Sequence, residues 1–398
     1  MATITIEMFP AKYGESFLIT FHDTEPIHIL IDMGFADTYN RYIKERLVSI
    51  NQQGHRIDLL VFTHIDIDHI QGGIKFLHEN GMADKPTIIG VDEIWYNAFR
   101  HIAPGRLKVE LGSAEIRKLE VYPLRGMSSG ESDEPEPIGG RKGSVLGALI
   151  LDGGYRWNAQ FGENAVCVAQ EGTVKEIGNV KIQLLSPSFE DLVELQRAWK
   201  EELEELGVTN ISHDSLFDDA FEVMVSELFP EYKKRNSIPI SADEEKLQKY
   251  LSKSDSVDDS PANSSSISFV LEFKQKKLLF LADSIHSRIL ENLPKYGYKE
   301  NTLFNAIKVA HHGSSGNIDE KLLTLIDSPF YLIATNGKKY DHPDLETIAR
   351  IVCRETSSER TLILNYKEIF EKLNQSDWRK DHKYNLNEPD GKTVVLNI

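Results

Sequence analysis

Apolar and polar positions alternate with a period of two in "ATITIEMF" and "ESFLITFH", the pattern of half-buried strands. "IHILIDMG" is instead apolar without a break until Asp32 and Gly34, as a strand covered on both faces would be. The spacing turns helical in "FADTYNRYIKERLVSINQQG" and stops at Gly54. "IDLLVFT" is again apolar on both faces and delivers His64 at its C-terminal end, and "GGIKFLHENG" reads as the helix that follows.

The signal weakens from about residue 91 to 260. "VKIQLLSPS" is a strand and "SFEDLVELQRAWKEELEEL" a strongly amphipathic helix. Two polar stretches, "SSGESDEPEPIGGRKGS" near 128–144 and "SKSDSVDDSPANSSS" near 252–266, read as exposed, flexible loops. From 267 order returns: "SISFVLEF" and "KKLLFLADS" form a hairpin, and "AIKVAHHGSSGN" is a strand running into a histidine-rich turn. "PFYLIATNGKKYDHPDLETIARIV" is strand, loop and helix, and "TLILNY" and "KTVVLNI" are closing strands. The chain is therefore an α/β protein with a β-rich half at each end, both halves delivering polar residues at strand C-termini. In layered α/β folds ligands bind at such ends. No internal repeat is visible, and we expect a single domain over 1–398 with an elaborated, partly flexible insertion at 91–261.

Composition narrows the function classes. A formal charge of -17 excludes a general nucleic-acid coat, because phosphate binding is driven by Lys and Arg. A phosphate substrate would need local neutralisation, which a bound cation can supply. Two cysteines, Cys167 and Cys353, make a disulfide framework unexpected. No basic leader and no run of 18 apolar residues is present, so the expectation is a cytoplasmic protein with no membrane partner.

The chemistry lies in "VFTHIDIDHIQGG", which packs His64, Asp66, Asp68 and His69 into six residues. Imidazole and carboxylate this close can converge on a cation: His64 and Asp66 on one, Asp68 and His69 on a neighbour. The plain alternative is a helix N-terminus capped by Asp68, with surface histidines. A second group favours the metal reading. Asp283 ends the strand "LLFLAD", His311 and His312 end "IKVAHHGS", and His342 follows "YLIATN" in "KYDHP". Each alone has a bland reading: Asp283 as a turn residue, one of His311 and His312 as a group behind or in front of the ligands, His342 as a loop residue before Pro343. Together they are what a dinuclear site assembled from distant segments requires.

These motifs, with Asp32 in "LIDMG" and Asn263 and Ser265 in "ANSSSISFVLEF", resemble the metallo-β-lactamase superfamily. They resemble most closely its competence-type DNA-uptake hydrolase domains and their stand-alone soluble relatives. The resemblance covers residues 1–90 and 262–398. It implies a four-layer αββα sandwich with two divalent ions (Zn²⁺ or Mn²⁺, with Mg²⁺ a further candidate) at the sheet edge. It implies His64, Asp66, Asp68 and His69 as ligands, Asp283 as the bridge and His342 as the completion of the second site, with Asp32 orienting ligands from behind. The chain departs from the family in two places. It lacks a convincing separate histidine between the first motif and Asp283, since His101 and His213 follow no strand, so His311 is a substitute candidate. It also carries Ala282 where glycine is usual.

Two cations sharing a water hold a hydroxide in line with an electrophile, with Asp68 in the catalytic centre and His312 as candidate acid for the leaving group. Ser314 or the amides of "HHGSSGN" could hold a phosphoryl oxygen; Lys308 offers nearby positive charge, whereas Lys338 and Lys339 read as loop solvation. The expected function is metal-dependent hydrolysis of a phosphodiester: short or single-stranded nucleic acid, or a nucleotide. Stand-alone relatives suggest a setting as a nuclease in antiviral defence beside a partner ATPase or sensor. The alternatives are hydrolysis of a carboxylic ester, thioester or lactam, and an interaction subunit with a purely structural metal.

Overall fold

Strand pairing sorts the apolar runs into two sheets in the computed structural model, which describes residues 3–102, 140–205, 260–354, 359–374, 382 and 384–398. The first sheet contains β1 (Thr3–Met8), β2 (Phe17–His22), β3 (Ile27–Ile31), β4 (Leu59–Val61) and β5 (Ile94–Trp95) in that order. The second begins at its edge with β6 (Thr173–Ile177), β7 (Val180–Ser186), β8 (Ser268–Phe273) and β9 (Lys276–Phe280). A short ribbon pairs β10 (Thr302–Leu303) with β12 (Ile326–Asp327) outside both. The second sheet continues through β11 (Ala306–Lys308), β13 (Phe330–Ile333), β14 (Arg360–Leu364) and β15 (Tyr384–Leu386). The last strand, β16 (Val394–Asn397), returns to pair antiparallel with β1. The expected strands and the β8–β9 hairpin are thus in place.

Side-chain alternation then builds four layers. One face of each sheet meets the other in a core of Ile6, Phe17, Ile19, Ile182, Leu184, Phe269 and Leu271. Outside the first sheet, helices Lys44–Gln52, Ile67–Asn80, Gly140–Asp152 and Phe189–Glu205 bury Leu47, Ile74, Leu146, Leu195 and Trp199. Outside the second, helices His286–Asn292, Leu345–Val352 and Lys367–Asn374 bury Ile289, Ile348 and Leu373. This is the αββα sandwich that the resemblance implies. Among the described residues no helix is long and apolar enough to cross a membrane.

Within 91–261 the described residues supply β5 to the first sheet, β6 and β7 to the second, and two of the covering helices. Residues 128–139 and 252–259 of the expected loops lie outside the described residues. The remainder differs from expectation: 140–144 start a helix, and Pro261–Ser264 is a short helix with Asn263, Ser264, Ser265 and Ser266 buried. Ile267 N–H donates to the Thr63 carbonyl, so this serine run is pinned beside His64. Serine and asparagine composition suggests solvation, but each hydroxyl can also satisfy buried backbone locally.

What positions the site is strand direction. β3, β4 and β5 run parallel, as do β9, β11, β13 and β14. Their C-terminal ends meet at one edge of the sandwich. The helix after β4 begins at Ile67, five residues earlier than its glycines suggest, so Asp68 and His69 lie in its first turn. Gly72 and Gly73 are therefore helical residues of close approach. A Cβ on Gly72 would sit 2.1 Å from the Met33 carbonyl oxygen, and one on Gly73 2.2 Å from the Phe62 ring. Backbone cannot yield as a side chain can, so Gly72→Ala should destabilise the fold by about 2–3 kcal/mol. Thermal denaturation checks this: an unchanged midpoint would show that the helix is free to shift.

Candidate metal centre

Three loops leave strand ends at the shared edge and turn through left-handed residues that are not glycine or asparagine. Asp32 after β3 has φ 52°, Ala282 after β9 has φ 45°, and His311 and His312 after β11 have φ 43° and 54°. Such residues cost roughly 1–2 kcal/mol each and persist where surrounding contacts determine them. Those contacts are visible. Asp32 Oδ1 accepts from Thr63 N–H at 2.8 Å, and its Oδ2 accepts from the Thr63 hydroxyl at 2.7 Å. The Ala282 carbonyl accepts from His311 N–H and from Lys308 Nζ, both at 2.9 Å. Asn317, fully buried, donates to the carbonyls of Asp283 and Ser284 while its Oδ1 faces His311 Nδ1 at 3.1 Å.

The result is a centre built around one oxygen. Asp283 Oδ2 lies 3.4 Å from His69 Nε2, 3.5 Å from His312 Nε2, and 3.8 Å from both His64 Nε2 and His311 Nε2. Asp66 Oδ2 is 3.6 Å from His64 Nε2, and Asp68 Oδ2 is 3.7 Å from His312 Nε2 and 4.0 Å from His69 Nε2.

Hydrogen bonds fix which nitrogen of each ring faces inward. His69 Nδ1 donates to Asp32 Oδ2 at 2.8 Å, and His312 Nδ1 donates to the Ala334 carbonyl at 2.8 Å. The Thr63 hydroxyl gives its proton to Asp32, so it accepts from His64 Nδ1 at 3.0 Å. With Nδ1 committed behind, Nε2 of His64, His69 and His312 points to the centre, buried and without a hydrogen bond among the described residues, as is Asp283 Oδ1. Buried polar atoms are normally satisfied, so this convergence requires an explanation. Asp66 is the N-cap of the helix, yet its side chain makes no capping bond, and its carboxylate is left for His64.

The charges agree. Burial opposes the Asp283 carboxylate, but His312, His311, His69 and Lys308 hold it well below the usual range. Burial likewise opposes charge on His69, yet Asp283 and Asp32 hold its imidazole well above its ordinary value. A proton on His69 Nε2 and a cation would occupy the same lone pair.

Seven predicted residues, His64, Asp66, Asp68, His69, Asp283, His311 and His312, thus meet at this edge, with Asp32 directly behind His69. His342 stands one ring further out, its centroid 5.6 Å from that of His311 and its Nδ1 2.9 Å from Asp344 Oδ1. Burial raises the Asp344 carboxyl, but His342 overrides this and holds it at about 2. Ser314 closes the turn with its N–H on the His311 carbonyl. His101 packs on Trp157 at 4.4 Å between centroids, and His213 lies outside the described residues. Sequence reasoning missed Glu15, Thr63 and Asn317. Glu15 is buried, its Oε2 paired with Lys308 Nζ and 3.8 Å from His312 Nδ1. Nothing in "YGES" marks it except an acid at the start of an apolar strand.

No family model matches the chain, and no curated protein matches it. Among solved structures it is similar to the metallo-β-lactamase fold protein YhfI from Bacillus subtilis, at 10% identity over 100% of both chains with a TM-score of 0.40. It is also similar to a mutant of the CmlA β-hydroxylase, at 9% identity over 99% of this chain and 54% of that one, with a TM-score of 0.36. A third likeness is to a long-form RNase Z from yeast, at 10% identity over 98% of this chain and 45% of that one, with a TM-score of 0.35. This chain spans about half the length of the last two.

The left-handed φ of Ala282 gives a physical reason why glycine would suit this place, since glycine adopts this conformation without strain. Relief of strain slightly outweighs the added freedom of the unfolded chain, so Ala282→Gly should stabilise by about 0.5–1 kcal/mol in chemical denaturation. A loss of stability would contradict the strain.

Proposed function

We propose that this chain is a metallo-hydrolase of the metallo-β-lactamase superfamily that cleaves phosphodiesters. The observation that carries the metal reading is the convergence of the Nε2 atoms of His64, His69 and His312 on Asp283 with no hydrogen-bond partner among the described residues. The fit is geometric as well. Atoms about 2 Å from one tetrahedral ion lie roughly 3.3 Å apart, close to the 3.4–3.8 Å separations around Asp283 Oδ2. Two groups would each hold a cation, His64 with Asp66 and Asp68 with His312, with Asp283 beside both and the single inward lone pair of His69 available to one of them.

A bound divalent cation supplies Lewis acidity and lowers the pKa of water toward neutrality. The chain's own residues do the rest. Asp32 and Thr63 lock the tautomers of His69 and His64, so each presents a lone pair inward. His312 is enclosed by Asp68, Asp283 and Glu15, which suits a holding role. We therefore assign proton delivery to His311 in place of His312: it is the more exposed of the two, backed by Asn317 and adjoining His342. Asp66 adds a hard oxygen where a histidine would add nitrogen, which favours Mn²⁺ relative to Zn²⁺. Together with the resemblance to DNA-uptake hydrolases, it supports a phosphodiester over a lactam.

Elemental analysis of the purified chain should find two divalent ions. The Mn²⁺- or Zn²⁺-loaded protein should hydrolyse bis-p-nitrophenyl phosphate, and His64→Ala with Asp283→Ala should lose at least a hundredfold in rate. Equal rates in parent and variant would overturn the metal mechanism, and hydrolysis confined to acyl esters would replace the substrate class. Asp32→Asn keeps the shape but withdraws the acceptor from His69 Nδ1, so metal affinity should fall about 10–100-fold in a chelator competition.

A further inference from the structure

The open side of the centre is lined by rings and an amine that the hydrolytic reading does not use. The turn carrying Tyr13 is wedged against Asp68: a Cβ on Gly14 would lie 2.0 Å from the Asp68 carbonyl oxygen. Its other side is tied to the loop after β13, where Asn336 N–H donates to the Lys12 carbonyl at 2.8 Å. That loop carries Lys339 and Tyr340 and ends at His342. The Lys339 amine sits over two rings, 4.6 Å from the centroid of Tyr13 and 4.9 Å from that of Tyr340. Tyr13 meets Phe35 edge-on at 4.8 Å, Lys12 lies over Phe35 at 5.4 Å, and Tyr340 leans on His342 at 5.9 Å.

Three features set this rim apart from an ordinary surface. Tyr340 is 49% exposed, one of few large apolar side chains so placed, and it borders the centre through His342. Lys339 is half-buried, and among the described residues no carboxylate lies within ion-pair distance of it, whereas the neighbouring Lys338 pairs with Glu368 at 3.7 Å. Tyr13 stays a neutral phenol: burial and Asp68 push it up to about 12 against the pull of Lys339. In a chain of charge -17, an amine held by two tyrosines and not by a carboxylate ion pair, at the rim of an acidic centre, is an uncommon local source of positive charge.

We propose that Tyr13, Lys339 and Tyr340 form the recognition face of the centre, where a nucleobase stacks on Tyr340 and its backbone phosphate meets Lys339. The substrate class is then a single-stranded oligonucleotide and not a phosphodiester in general. Exposed aromatic faces bind bases without regard to sequence, and a cation between them handles the backbone. The adjacency to Asp68 and His342 puts the neighbouring phosphodiester at the centre. This rests on the hydrolytic reading for its consequence, but its test does not depend on turnover.

The test measures binding of labelled hexathymidylate, and of an abasic phosphodiester of the same length, to the metal-free and Mn²⁺-loaded chain. Hexathymidylate should bind at least tenfold tighter than the abasic strand. Tyr340→Ala should abolish that difference and Tyr340→Trp restore it. Lys339→Gln should weaken both ligands about equally and reduce the salt dependence of binding by roughly 0.7 in log–log slope. Equal affinity for the two ligands, or a difference that survives Tyr340→Ala, would overturn the proposal. Base-dependent binding without cleavage by the loaded chain would uphold the recognition face and overturn the hydrolytic reading.

Discussion

A single carboxylate oxygen, Asp283 Oδ2, faces four imidazole nitrogens, and the rest of the edge is arranged so that this can hold. A buried carboxylate needs opposite charge nearby, and a buried imidazole needs a partner for each ring nitrogen. Asp32, Thr63, Ala334 and Asn317 take the outer nitrogens, and the inner ones are left to Asp283. The hydrogen bonds behind the rings are thus what makes the centre receptive to a cation, because they decide where the lone pairs point.

The same constraint explains the backbone. Parallel strands bring their C-termini to one edge, but extended chain cannot by itself turn four side chains onto a common point. Asp32, Ala282, His311 and His312 accomplish this with left-handed turns, and the strain is borne by bonds such as His311 N–H to the Ala282 carbonyl. One loop's turn supplies the acceptor that fixes another's. The geometry of the centre is a property of several loops together.

That interdependence also sets what could be read in the sequence. Strands with strong patterns, such as β1, β3, β4 and the β8–β9 hairpin, were legible because burial on one or two faces writes a period into the chain. The histidines and aspartates were legible because each closes such a run. The start of the helix at Ile67 was not, because Gly72 and Gly73 read as its beginning when their real role is close contact, inside the helix, with Met33 and Phe62. Glu15 and Asn317 were invisible for a related reason: their function is defined only by partners far along the chain, Lys308 for one and Asp283 for the other. The serines at 264–266 read as a solvated loop although they are buried, since composition records polarity and not whether water or backbone satisfies it.

Lys308 shows how a partner changes a role. From sequence it is a positive charge near a phosphate site; in the structure it is fully buried and joined to Glu15, with Asp283 Oδ1 at 3.5 Å. Its charge is neutralised and it has no path to a substrate, so it acts on the centre by position. By lying on the Oδ1 side of Asp283 it leaves Oδ2 to the imidazoles, and Glu15 in turn extends behind His312. A buried ion pair of this kind is weak support for stability, because desolvation offsets most of its attraction. Its contribution is orientation: with neither partner able to leave, the Asp283 carboxylate has one way to face.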